Sequence, residues 1–292
     1  MDNPHEPQAP SSAAYGAAGR GVTGCPLAVQ QVLPDLLDEV RSALGDRLVG
    51  MYLYGSAVSG DYDEGVSDID LMAAVTGELS PDVLSALDSG HHRFWSSHPE
   101  FTDRIDLIYA PAAWLSSLSG ELNASGSPPI LATVSPGSPL HAEPVSQEWI
   151  LNRHLAHDTG VTVHGRPLEC AVAAVPAETV RAAVARKVLS LRDGAAQVVH
   201  RGGHAYVVLT ACRALLTLTT ARHASKADAA RWARERWPCF RPVIDAALEW
   251  RLGQAVRDET PLPRELSAQR DGLLDAVCRV AEDRTAGVVG HG

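Results

Sequence analysis

Several things this sequence lacks narrow its class before any motif is read. Its five cysteines (Cys25, Cys170, Cys212, Cys239 and Cys278) lie far apart in 292 residues, with no C-x-x-C pair and no Cys/His ligand spacing. Neither a disulfide framework nor a structural zinc is expected, and Cys212 and Cys278, set in apolar helical stretches, read as small buried hydrophobes. The twelve histidines are scattered too, and the His91-His92 and His154/His157 pairs have no carboxylate or thiol at matching spacing. Lys and Arg number 25 against 35 Asp and Glu, a formal net charge of −10, and no stretch gathers the basic residues into a block. The basic footprint of a duplex binder is missing, so no nucleic-acid partner is expected. No window approaches the roughly 20 uninterrupted apolar residues of a bilayer span, and the N-terminus has no charged region followed by an apolar one. The expectation is a soluble, cytoplasmic protein without a membrane partner, read as a monomer, and no internal repeat is visible.

What is present suffices for a buried core, with 45% of residues hydrophobic and 21% charged over more than one typical domain's length. Residues 1–22 are rich in Ala, Gly, Ser and Pro without hydrophobic period and read as a disordered tail. Val32, Leu33, Leu36, Leu37 and Val40 recur at helical spacing and predict a helix over Leu27–Leu44, stopped by Gly45. Leu48–Tyr54 and Ile69–Val75 read as strands joined by a glycine-bearing loop, Pro81–His98 as a helix, and Arg104–Tyr109 as a third strand. The Gly/Ser/Pro-rich stretch from Gly120 to Pro144 reads as a domain connection. Beyond Ser146 the pattern is helical, at Gln147–Asp158, Ala177–His200, Tyr206–Arg222, Lys226–Trp237, Pro242–Asp258 and Pro263–Glu282. The chain is therefore expected to be α+β: residues 23–143 with a small mixed sheet flanked by helices, residues 144–285 an all-α helical bundle, and 286–292 a flexible tail.

The chemistry concentrates in Tyr54-Gly55-Ser56, then Ser67-Asp68-Ile69-Asp70-Leu71, then Asp106 in the third strand. Gly55 lets a backbone turn approach a triphosphate closely, and Ser56 offers a hydroxyl and an N–H to its oxygens. Asp68 and Asp70, two apart on a strand, project from one face. Paired hard-oxygen donors beside a phosphate cradle suit Mg²⁺, which binds through one or two carboxylates plus substrate phosphates. Asp106, on the face its strand shares with Arg104 and Ile108, can serve as a metal ligand or as the base for an attacking hydroxyl. The implied reaction is nucleotidyl transfer, an in-line displacement at the α-phosphorus with pyrophosphate leaving.

These residues resemble the nucleotidyltransferase superfamily with the DNA polymerase β-like fold, and within it the aminoglycoside adenylyltransferases acting on streptomycin and spectinomycin. The resemblance spans roughly residues 45–260. It includes LYGSAVSGDYDEGVSDIDL and, in the helical half, Val207–Arg213, Ser225–Ala233 and Leu252-Gly253-Gln254 in the same order. It implies that Ser56 and Ser67 contact nucleotide phosphates, that Asp68 and Asp70 hold Mg²⁺, and that Arg213 and Lys226 grip the triphosphate of ATP. Departures leave the acceptor open. Asp106 stands where that branch has a glutamate base, and Arg201-Gly202-Gly203-His204 stands where it places an antibiotic-binding aspartate. Its streptomycin-packing tryptophan has no clear counterpart; Trp114 and Trp149 lie nearby but read as core residues. The function expected is Mg²⁺-dependent transfer of AMP from ATP to a hydroxyl of a small polar molecule, such as an aminoglycoside. The alternatives are another acceptor (a different antibiotic, a biosynthetic intermediate or a protein side chain) and a non-catalytic nucleotide-binding module.

Overall fold

The structure is a computed structural model and describes residues 22–117, 128–220, 222–252 and 258–289. The expected N-terminal tail over 1–21, and Gly253-Gln254 of the last motif, lie outside the described residues. In chain order the elements are α1 (Leu27–Leu44), β1 (Leu48–Tyr54), α2 (Ser56–Ser59), β2 (Ile69–Val75), α3 (Pro81–Ser97), β3 (Ile105–Pro111) and α4 (Ala112–Leu115). They continue with β4 (Ile130–Ser135), β5 (Ser138–Pro144), α5 (Gln147–Thr159), β6 (Val161–Gly165) and α6 (Leu168–Ala171). The helical part follows with α7 (Ala177–Gly194), α8 (Arg201–Thr220), α9 (Lys226–Arg236), α10 (Arg241–Leu252) and α11 (Arg264–Val289).

One six-stranded sheet has the order β5-β4-β3-β2-β1-β6. β2 and β3 pair in parallel, joined through α3, and the other pairs are antiparallel, so the sheet is mixed. Alternation sorts the strands' side chains to two faces. Met51, Leu53, Leu71 and Leu107 pack with Val29, Leu36 and Phe94 of α1 and α3. Tyr52, Met72 and Ile108 pack on the opposite face with Trp114, Trp149 and Ala156 from α4 and α5. Leu53 and Leu71 are fully buried, and truncating either to Ala is expected to cost about 2–5 kcal/mol. Trp114 and Trp149 are indeed core residues, as are the thiols of Cys212 and Cys278. A separate core joins α7 to α11, dominated by apolar positions of α8 such as Val208, Leu209 and Leu215.

The stretch Gly120–Pro144 is not simply a connection, because its described part forms the β4–β5 hairpin. Pro136 and Gly137, the latter at φ +76°, make its turn. Pro139 and Pro144 are tolerated because β5 is an edge strand, where a missing N–H disrupts no ladder. The sheet also recruits β6, beyond the boundary expected at 143/144, so the helix α5 lies inside the sheet-forming region rather than opening a purely helical one. Five residues of partly buried edge strand carry too little alternation to announce themselves. At the other end α11 runs on to Val289, through four residues expected as tail. No helix among the described residues is long and apolar enough to cross a membrane.

Candidate active site

The sheet delivers its acidic residues to one edge. β2 and β3 start side by side with Asp70 in register with Asp106, and Tyr54 at the end of β1 pairs with Asp70 from the other side. In-register neighbours share a face, so both carboxylates project toward the same space. Gly55 follows at φ +72° and ψ −147°. A Cβ there would stand 2.1 Å from Asp70 Oδ2, so the absent side chain of Gly55 is what makes room for the carboxylate. Ser56 then begins the single turn of α2 at the cleft wall.

Between α2 and β2 the chain crosses to Asp68. Ser67 Oγ accepts the Asp63 amide at 2.9 Å, and the Ser67 carbonyl accepts from Arg104 Nη2 at 2.6 Å. The Ser67 hydroxyl thus shapes this loop at the rim of the cleft, its own proton still free to donate. Across the sheet, Ser135 of β4 donates through Oγ to Asp106 Oδ1 at 2.7 Å.

These acids are costly to ionise together. Burial, then the charges of Asp106 and Asp68, push Asp70 from an ordinary 3.8 to about 8, against the pull of Lys226 and Arg213. Burial raises Asp106 to about 6, although the Ser135 hydrogen bond favours its charged form. The phenol of Tyr54 is held well above its usual range by burial and by the neighbouring Asp106 and Asp70. Among the described residues, no group of three or more His, Cys, Asp and Glu side chains closes into a metal-binding set. Asp68, Asp70 and Asp106 therefore do not form a ready three-ligand cage; the structure offers a register pair, Asp70 and Asp106, with Asp68 bearing on both through its charge. That chemistry fits a divalent cation which takes one or two carboxylates and completes its shell with phosphate oxygens, since such an ion relieves the repulsion that raises Asp70.

The helical part supplies the facing wall. Arg213 lies on α8 and Lys226 is the first residue of α9, whose N-cap Ser225 accepts the Asp228 amide at 3.0 Å. Burial lowers both, Lys226 to about 8 with Arg213 and Arg251 adding to the depression and Asp70 and Asp68 opposing it. Lys226 Nζ sits 4.9 Å from the centre of the Tyr206 ring. One cleft brings together Gly55, Ser56, Ser67, Asp68, Asp70 and Asp106 with Arg213 and Lys226.

Sequence reasoning did not single out Tyr206 and Arg251, which also line this cleft. Both adjoin stretches already noted, Tyr206 before Val207 and Arg251 before Leu252. Of the other acids near Asp106 in sequence or space, Glu148 lines the cleft and pairs with Lys187 at 2.8 Å, whereas Asp103 accepts from the Gly137 amide in the β4–β5 turn. Gly202 at the start of α8 borders the cleft, and His204 turns away into a buried contact with Trp250.

Comparison with known proteins agrees with this division into two walls. The family described as "Nucleotidyltransferase domain" matches residues 33–98, and "Aminoglycoside adenylyltransferase, C-terminal domain" matches residues 171–275. The chain is therefore an enzyme of the nucleotidyltransferase class. Within that class it resembles the aminoglycoside adenylyltransferases. The fold is shared with a crystal structure of spectinomycin adenyltransferase AAD(9) from Enterococcus faecialis, with ATP and spectinomycin, at a TM-score of 0.67 and 17% identity over 85% of this chain and 98% of that one. No curated protein sequence matches the chain.

Proposed function

We propose that this enzyme transfers AMP from ATP to a hydroxyl of a small polar acceptor, of aminoglycoside type, bound in the cleft between the sheet and the helices. The observation that carries the reading is the in-register pair Asp70 and Asp106 facing Arg213 and Lys226 across one cleft. Arg213 and Lys226 bind the triphosphate, with Ser56 and Ser67 at its near side. Asp68 and Asp70 hold Mg²⁺, with Asp106 within the same carboxylate group. When bound, the ion neutralises phosphate charge and polarises the α-phosphoryl group. The acceptor oxygen attacks the α-phosphorus in line, the bond from that phosphorus to the bridging oxygen breaks, and pyrophosphate leaves. Asp106, at about 6, is ionised at neutral pH and is suited to take the hydroxyl proton as the new bond forms. Ser135 orients that carboxylate through its hydrogen bond.

Incubation with labelled ATP, Mg²⁺ and a panel of hydroxylated antibiotics tests the reading, scored by pyrophosphate release and product mass. An acceptor heavier by one adenylyl group is expected. Tight ATP binding with no pyrophosphate release from any acceptor would favour the nucleotide-binding module instead.

A further inference from the structure

The segment between α2 and β2 carries Ser67 and Asp68 to the cleft and leads directly into Asp70. Two arginines hold it from different parts of the molecule. Arg104, just before β3 and only 7% exposed, donates to the Ser67 carbonyl from Nη2 at 2.6 Å and from Nε at 3.2 Å, and to the Tyr62 hydroxyl at 3.1 Å. Arg251 reaches the same segment from the last turn of α10, in the helical part. Its Nη2 donates to the Asp61 carbonyl at 3.0 Å and lies 2.9 Å from Asp63 Oδ2, while Nη1 lies 3.4 Å from Asp61 Oδ2.

This pairing differs from an ordinary surface ion pair. The Arg251 side chain is 14% exposed, and those of Asp61 and Asp63 are 19% and 29% exposed, so water screens the contact weakly. Both terminal nitrogens of a planar, rigid fork are engaged, and one contact is to backbone, which fixes the path of the chain rather than a side chain alone. Asp63 is in turn tied through its amide to Ser67 Oγ. The contact therefore runs from α10 through Asp61 and Asp63 to the residue before Asp68. Arg251 also borders the cleft and adds to the field on Lys226.

We propose that Arg251 is a positioning residue of the nucleotidyl-transfer site, tying α10 to the Asp61–Asp63 segment so that carboxylates and cations keep one spacing across the cleft. Arg251 acts through the two aspartates, not by direct contact with phosphate. It is a latch between the part of the chain that carries the acids and the part that carries the bases.

Hydrogen–deuterium exchange on the full chain tests this without an acceptor. Arg251→Gln is expected to speed exchange across residues 60–68 by about tenfold, the scale of losing a charge-assisted hydrogen bond. The Asp61→Asn/Asp63→Asn variant, which keeps the Asp61 carbonyl contact, should speed exchange in the same segment by a smaller factor, adding it to Arg251→Gln should change little more, and Arg251→Lys should restore part of the protection. Titration with ATP and Mg²⁺ should give a loss of affinity for Arg251→Gln and a smaller loss for the double Asn variant. Unchanged exchange across 60–68 in Arg251→Gln overturns the proposal. So does an affinity loss in Arg251→Gln with no loss at all in the double Asn variant, since Arg251 would then contact phosphate itself. Failure of the wild-type chain to bind ATP counts against the proposed function, while the exchange result still decides whether the latch exists.

Discussion

The two walls of the cleft are opposite in charge and alike in their discomfort. The sheet wall carries acids whose protons are held too tightly, with Asp70 pushed up to about 8 by burial and by Asp106 and Asp68, and Asp106 to about 6 by burial and by Asp68. The helical wall carries bases whose protons are held too loosely, with Lys226 pushed down to about 8 and Arg213 lowered in the same direction. Each wall relieves the other in part, since Lys226 and Arg213 favour ionised Asp70 and Asp70 favours charged Lys226. Residual strain of both signs in one cleft suits a ligand that brings a cation to the acids and phosphates to the bases. A triphosphate alone would satisfy one wall and be repelled by the other.

The comparison breaks most visibly if the sheet wall is neutralised. Asp68→Asn or Asp70→Asn should abolish turnover while circular dichroism stays that of the wild type; near-normal rates in either variant would remove the sheet wall from the chemistry. Stability should move the other way for Asp70→Asn. Because Asp70 titrates near 8 in the folded chain and near 3.8 when unfolded, the native state keeps a proton that the unfolded chain loses between those values. Asp70's contribution to wild-type stability therefore declines as pH rises from about 4 to 8 in the absence of a divalent cation. In EDTA at pH 8 the Asn variant should melt above wild type, with the gap closing toward pH 4.

Asp106→Asn comes next, with kcat lowered by at least about 10²-fold, the lower end for loss of a general base. ATP affinity in the same variant separates its two roles: little change marks a base, and a marked loss of Mg²⁺-dependent binding marks a metal ligand. Lys226→Ala sharpens the opposite wall. It should weaken ATP binding by roughly 1–3 kcal/mol, measured by calorimetry, as expected for a lost charge-assisted hydrogen bond. In the wild type, affinity should fall as pH rises through about 8, where Lys226 loses its proton. Comparable in size is the effect of Gly55→Ala, whose Cβ must displace the Asp70 carboxylate at a positive φ; a stability loss of about 1–3 kcal/mol by thermal melting is expected.

The walls also differ in how far the sequence disclosed them. α1, β1 and β2 fall where the sequence places them, residue for residue: α1 because one helical face is apolar and buried, β1 and β2 because each is a short apolar run buried on both faces and bounded by polar or glycine residues. The same alternation puts Asp106 on the face away from Leu107 and Tyr109, which is where the structure has it. β5 and β6 escaped because edge strands tolerate proline and leave much of their length wet, and the inner strand β4 escaped because it is short and set between Pro128-Pro129 and Pro136-Gly137. On the helical side, Arg213 and Lys226 stood out only through resemblance. Tyr206 and Arg251 have no local pattern at all, since what makes them part of the cleft is packing against residues far away in sequence, 190 positions in the contact of Arg251 with Asp61.

Calorimetric titration of the wild-type chain with ATP at pH 7, once with Mg²⁺ and once with EDTA, tests the account of the two walls most directly. Tight binding is expected only with Mg²⁺, accompanied by release of a proton from Asp70, seen as a dependence of the measured heat on the buffer's ionisation enthalpy. Equal ATP affinity in EDTA, with no proton released, would contradict it.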